Sequence, residues 1–523
     1  MAGFSNYFRF ILKRERAVGL TWFVCMVAFE AGLASVFSGM FSDAESMRAM
    51  AFTMNTPAMV ALMGPVYGLE SLTPAIIMAQ ECLVWFFIAA AVMNIFFVVR
   101  HTRADEELGR HEMLRALPVG RLTGAASTLT GAFALNAAIT LASALGLIAL
   151  NADGATAAGA FAYALSIGAV GFLFAALTLL FAQLFSTPRG VSGAAFAVMG
   201  VFYVLRMSGD MNGNALSAVS PMGLGLKVQP FWLNGFAPVV ILLTEAAVVA
   251  AAALAVCANR DLGGGIIPAR KGKARASRFL RGEFGLAWRL SRGTIFAWSA
   301  GIFALGATYG AAAGTIDQFA AGNEMFSKML ASAGAASVAD SYTAMVFAIG
   351  ALLCSVPVIN IAGKIRAEEK RGRLEQILAK SVPRERMFLS YIALAFVTSL
   401  ATLALMAIGF YIAAGGMKPG ALLTAAFEYL PALWLMLGLT VLLAGAVPKL
   451  AGLIWAVFAY AFAVFYFGKL LRLPELAAKL SPFGYIPQLP SQEFALVPLL
   501  VPALLAVAVC AAGVAGFGRR DVG

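Results

Sequence analysis

The chain has 523 residues, of which 61% are hydrophobic and only 12% charged, with a mean hydropathy of +0.85; a soluble domain carries about 25% charged residues. That balance excludes an ordinary soluble enzyme, and apolar runs near the ~20 residues a helix needs to cross a bilayer recur along the whole length. The net charge of +12 would suggest nucleic acid in a soluble protein, but most of the 38 Lys and Arg are gathered in short segments between apolar runs, which is a topology signal.

In chain order, a charged amphipathic stretch, 4–16, runs straight into the first apolar run, with no cleavable signal evident. Twelve spanning helices are expected. The first six lie near 17–40, 76–100, 122–149, 157–185, 190–207 and 235–258. The second six lie near 293–314, 342–365, 386–414, 420–446, 450–470 and 496–518. With the N-terminus in the cytoplasm, the basic residues concentrate in 1–16, 100–121, Arg189, 260–292, 364–386, Lys449 and 519–520. Both termini are therefore expected on the cytoplasmic side. Anionic lipid would favour the same placement. The five cysteines, Cys25, Cys82, Cys257, Cys354 and Cys510, lie in apolar stretches without paired spacing, so neither a disulfide framework nor a metal set is implied. The two histidines are too few for a His-ligated metal.

Shifted by half its length, the sequence lines up with itself. Arg103, Glu106, Gly109, Arg110, Glu112 and Arg121 match Arg366, Glu369, Gly372, Arg373, Glu375 and Arg384 without a gap. "SPMG" (220–223) pairs with "SPFG" (481–484), and "RDLG" (260–263) with "RDVG" (520–523). An even number of spans per copy makes this a parallel repeat. The expected organisation is a first half at 1–261, a basic linker with a second amphipathic start at 262–292, and a second half at 293–523.

Each copy carries a charged segment between its second and third spans: "RADEELGRHEMLRALPVGR" (103–121) and "RAEEKRGRLEQILAKSVPR" (366–384). Thr102 followed by Asp105 has capping-box spacing. Acidic residues crowd the first turn, where the helix dipole favours them, and Pro118 and Pro383 mark stops. Met113, Leu114 and Leu117, or Leu374, Ile377 and Leu378, make a short apolar stripe. Such a helix either lies on lipid or docks into a groove of a partner. The acidic cluster, which an anionic leaflet repels, favours docking on two copies of a soluble partner.

At these residues the sequence resembles the permease subunits of bacterial ABC exporters of the ABCG-like (type II) architecture, more narrowly the fused twelve-helix permeases of actinobacterial antibiotic and multidrug exporters. The motif is a Glu-Glu pair followed by Gly-Arg-x-Glu-x-(Leu/Ile). Glu106, Glu107, Gly109, Arg110, Glu112 and Leu114 fill it first; Glu368, Glu369, Gly372, Arg373, Glu375 and Ile377 fill a version with the acid pair one residue earlier. "NRDLGGGIIPARKGKARASRF" after the sixth span fits the same group. The resemblance implies that these twelve residues form coupling helices contacting a separate ATPase subunit, two copies per permease. It implies that 4–16 and 278–292 are elbow helices on the inner leaflet. It also implies that 41–75 and 315–341 form part of an external gate, with "NTPAMVALMGPVYGLESLTP" folding back rather than spanning. The implied cargo is a hydrophobic or amphipathic small molecule leaving the cell.

No G-x-x-x-x-G-K-[ST] occurs, so the chain is not expected to bind ATP and magnesium itself. No HExxH, GxSxG or Cys-His cluster is present, which leaves a membrane-embedded enzyme without its chemistry. A secondary transporter of the major facilitator kind also has two parallel six-helix halves, but its loop after the second span is Gly- and Arg-rich, whereas this one is led by acids. Within the spans, Glu30, Glu81 and Glu245 are candidates for a substrate path, because an ionisable group at depth usually faces a bundle interior or wet cavity. Helix-to-helix hydrogen bonding is the alternative for these and for Asn94, Asn136 and Gln183. Arg206 is the nearest basic candidate partner for Glu30 or Glu245.

Overall fold

In a computed structural model, the structure describes residues 3–41, 47–48, 50–51, 54–55, 57–116, 118–260, 264–267, 275–313, 338–379, 382–414, 418–467, 475–487, 489 and 495–521. Among the described residues every regular element is a helix, apart from one isolated bridge between Phe185 and Ile267. In a bilayer every backbone polar group must be satisfied within its own segment, and apolar runs of this length achieve that as helices. Eleven helical stretches among the described residues, with Pro419–Gly445 counted as one, are long and apolar enough to cross a membrane. The protein is an all-α polytopic membrane protein. The chain divides into two compact units, Met1–Gly272 and Lys273–Gly523.

The first unit contains α1 (Phe4–Met40), α2 (Pro57–Met63), α3 (Pro74–His101), α4 (Arg103–Glu107), α5 (Arg110–Arg115), α6 (Thr123–Leu150), α7 (Ala157–Leu184), α8 (Pro188–Asn212), α9 (Leu216–Val219), α10 (Pro221–Leu226) and α11 (Ala237–Asn259). Thr73, Thr156 and Thr187 start α3, α7 and α8 by accepting a backbone N–H three residues on, with Pro74 and Pro188 in the first turn. Within this unit α3 and α7 are the most deeply buried spans and hold its core. The second unit contains α12 (Glu283–Ala313), α13 (Val338–Ala362), α14 (Lys364–Lys370), α15 (Arg373–Leu378), α16 (Arg384–Ala414), α17 (Pro419–Phe427), α18 (Leu430–Gly445), α19 (Leu453–Phe467), α20 (Glu475–Leu480) and α21 (Leu496–Arg519). Its closest pairing is α12 on α16: a Cβ on Gly306 or Gly310 would run into the carbonyls of Met406 or Phe410. Small residues of this kind let membrane helices approach.

Several expectations are revised. The amphipathic segment 4–16 is not a separate elbow: it forms the first turns of α1, continuous with the span. In the second unit a 3-10 turn, Arg278–Arg281, precedes α12, which again runs unbroken into its span. The tenth expected span is interrupted at Glu428 and Tyr429, ahead of Pro431, and forms α17 and α18. The eleventh is a 15-residue helix, α19, whose expected end at 468–470 lies outside the described residues. In the stretch after the first span, α2 has seven residues, too few to cross. The counterpart gate segment, 315–341, lies outside the described residues except for 338–341, as does 268–274 of the linker.

Arg206 does not approach Glu30 or Glu245 as a partner. Fully buried, it donates to Leu62 O at 3.0 Å and Val60 O at 3.5 Å, and pairs with Asp210 at 3.5 Å. It satisfies the last carbonyls of α2, which a helix leaves open. The sequence could not show this pairing because Leu62 and Arg206 are 144 residues apart.

Candidate functional site

The two charged segments fold alike, and neither is one helix. α3 ends at His101, and Thr102 adopts an irregular conformation before α4. Its hydroxyl donates back to Val98 O at 2.6 Å, so the capping box suggested by Asp105 is not made. α4 and α5 meet at Gly109, with φ 69°; α14 and α15 meet at Gly372, with φ 65°. A Cβ at either glycine would meet nothing within 4 Å, so it is the left-handed backbone, and not crowding, that calls for glycine.

Most of the acidic side chains face inward. Asp105 accepts from Arg14 at 2.5 Å and from Arg110 at 3.1 Å. Glu106 accepts from Arg103 at 2.5 Å and from Arg260 at 2.8 Å. Arg103 is only 1% exposed and also donates to Ala182 O and Gly264 O. Glu15, on α1, accepts from Arg100 and bonds His101 Nε2 at 2.9 Å. In the second unit Glu368 accepts from Arg373 at 2.8 Å. Glu369 accepts from Arg366 at 3.0 Å and from Arg520 through both oxygens, at 2.6 and 2.8 Å. Lys364 donates to Leu290 O on α12.

These contacts agree with the gap-free alignment, which sets Asp105 and Glu106 against Glu368 and Glu369, over the motif's pairing of the acids. Asp105 and Glu368 both hold the arginine just past the glycine, and Glu106 and Glu369 are both held by the arginine that ends the last helix of the unit. The apparent one-residue offset disappears, and Glu107 stands opposite Lys370.

What remains exposed is the tip of each loop. In the first, Glu107, Arg110 and Glu112 are exposed, along with Leu108 at 61% and Met113 at 68%. In the second, Lys370, Arg371 and Glu375 are exposed. Leu114 and Ile377 are half-buried and pack on the apolar clusters beneath, and Leu374 is fully buried. Leu117, expected in the stripe, lies outside the described residues. Of the motif, then, Glu106, Glu368, Glu369 and Arg373 anchor the loop, Gly109 and Gly372 bend it, Arg110 pairs inward while remaining partly exposed, and Glu107, Glu112 and Glu375 face out. A cavity of about 40 Å³ against the first anchor is lined by His101, Glu106, Arg121, Gln183 and Arg260, among others. It has room for water but not for an organic molecule.

The three candidate path acids fall in different settings. Glu30 is 1% exposed, with the Ser143 hydroxyl on α6 in hydrogen-bonding reach of its carboxyl and no charged partner beside it; the Tyr163 hydroxyl lacks a partner. Glu81 is half-buried, with one oxygen unpartnered, and both acids lie within electrostatic reach of Cys82. Glu245 is exposed on the surface of its unit. Asn94 and Asn136 have the helix-to-helix role: each amide donates to the other at 3.1 and 2.8 Å and to the carbonyl four residues back. Glu428, at the break between α17 and α18, is a buried acid the sequence reading passed over; it accepts from Leu489 N at 2.9 Å.

The family model described as "Multidrug efflux system permease Rv1217c, C-terminal domain" matches residues 4–257 and 280–518. The chain belongs to this family. The multidrug efflux system permease protein Rv1217c of Mycobacterium tuberculosis is 33% identical over 532 aligned positions, which cover 99% of this chain and 95% of the relative. The matched stretches of this Rv1217c-family chain carry both anchored loops and all three candidate path acids.

Proposed function

We propose that this chain is the membrane permease of an ATP-driven exporter. It sits in the cell membrane with both termini in the cytoplasm and moves hydrophobic or amphipathic compounds outward. The chain carries no phosphate-binding loop of its own, so ATP and magnesium act on a separate ATPase subunit. Two copies of that subunit dock on the loop tips at 107–114 and 370–377.

One observation carries this reading: the same charged loop is built twice, its inner acids consumed by anchoring arginines and its tip left with exposed charge and, in the first, exposed Leu108 and Met113. An apolar residue set among exposed charges on a short helix suits a protein groove. The name of the relative, a multidrug efflux permease, supports the direction and the breadth of cargo. The buried Glu30, with the Ser143 and Tyr163 hydroxyls near it and no cation paired to it, supports a polar station inside the first half for the charged end of an amphiphile. Inside-out membrane vesicles carrying the chain and an ATPase partner test the reading. They should accumulate a cationic amphipathic dye only when magnesium and ATP are supplied. Accumulation driven by a proton gradient without ATP would overturn it.

A further inference from the structure

Arg260 and Arg520 occupy the same place in each unit, and they do the same thing. Each is the residue that ends the last helix of its unit, with φ −88° in both cases. Each reaches the inner acid of the charged loop: Arg260 to Glu106 at 2.8 Å, Arg520 to Glu369 at 2.6 Å. Each also touches the carbonyl near the end of the fourth span, Ala182 O at 3.4 Å and Ala444 O at 3.3 Å. The backbone oxygen of each is held in turn by the arginine that opens the third span, from Arg121 at 2.6 Å and from Arg384 at 3.2 Å. The joint is therefore built from side chains up to 154 residues apart in sequence, and it is built twice.

This inference rests on the proposed docking of an ATPase on the loop tips. We propose that Arg260 and Arg520 are positioning residues that carry displacement of each loop into the fourth and sixth spans of its half. The loop is continuous only with the second and third spans. Nothing covalent ties it to the fourth or sixth, and the arginine bridges that gap from the sixth span. A forked guanidinium suits the task, because it binds a carboxylate and a carbonyl at once in fixed directions, which an ammonium on a flexible stem does not. Coupling between distant sites is carried through such ion-pair and packing contacts. A joint that only held the fold together would lower stability, hydrolysis and transport in step.

The test uses the full chain in complex with its ATPase partner, carrying Arg260→Gln and Arg520→Gln together. The ATPase should still co-purify and hydrolyse ATP at a rate within about twofold of native, while dye transported per ATP hydrolysed falls about tenfold and the dye no longer stimulates hydrolysis. Should that variant fail to insert, Arg260→Lys with Arg520→Lys keeps the charge and loses the fork; the same ratio should then fall by about threefold. An unchanged ratio in the variant that inserts would overturn the inference and leave docking untouched. Failure of the native chain to co-purify with an ATPase, or to stimulate one, would remove the docking reading and this inference with it.

Discussion

Glu106 and Glu107 are neighbours with opposite circumstances. Glu106 is clasped between Arg103 and Arg260, whereas Glu107 is exposed. Removing one partner from a buried ion pair costs about 3–5 kcal/mol because the other charge is left uncompensated. Exposed charges contribute about 0–1 kcal/mol. Glu106→Leu should therefore lower the unfolding temperature of the detergent-solubilised chain clearly, and Glu107→Leu hardly at all. Equal shifts from the two would show that the clasp carries no stability. Glu30 tests a different property. A carboxylate this deep, with a serine hydroxyl and no cation facing it, is costly unless a ligand, water or a proton compensates it. Glu30→Gln should weaken export of cationic compounds more than of matched neutral ones, with basal ATP hydrolysis kept. Resistance assays on paired compounds measure this, and a uniform loss across both classes would return Glu30 to a packing role.

The individual elements divide into those the sequence announces and those it conceals. The spans, the duplicated loops and the short helix at 57–63 are legible because apolar runs and clustered charge are local signals. The bend inside each loop is not. Acid-led first turns and an apolar stripe read as one helix, and a single glycine at left-handed φ divides it. The continuity of 4–16 with the first span is hidden too, since charge at a helix start looks the same whether or not the helix turns a corner. The anchors could not be read at all: Arg260 to Glu106 and Arg520 to Glu369 join residues 154 and 151 apart. The repeat of "RD-x-G" was their only trace. The bends allow a sharp check. At Gly109 and Gly372 an added Cβ meets no neighbour, so only the backbone cost remains, about 1–2 kcal/mol for a residue that resists left-handed φ. Gly109→Ala with Gly372→Ala should weaken dye-stimulated ATP hydrolysis, and the Asn variants, which tolerate that conformation, should retain most of it. Equal effects of Ala and Asn would rule out the backbone as the cause.

Across the whole molecule the halves share a frame and differ in what they offer. Aligning Trp22 with Trp298 sets Glu30 against Gly306, and aligning Arg121 with Arg384 sets Ser143 against Met406. Where the first unit holds an acid facing a hydroxyl, the second closes two helices on a glycine. The proposed polar station therefore belongs to one half. The loop tips differ in the same way, with Glu107 and Leu108 in one and Lys370 and Arg371 in the other. Two identical ATPase subunits would thus meet two unlike sockets on one shared anchor design. The mass of the intact complex, measured by native mass spectrometry, tests the central claim most directly. The native chain should carry two ATPase subunits. A chain with Leu108→Asp and Met113→Asp should carry one, and a chain that also has Lys370→Glu, Arg371→Glu and Glu375→Lys should carry none. Two subunits retained on the fully substituted chain would contradict the assignment of these loops as the docking sites.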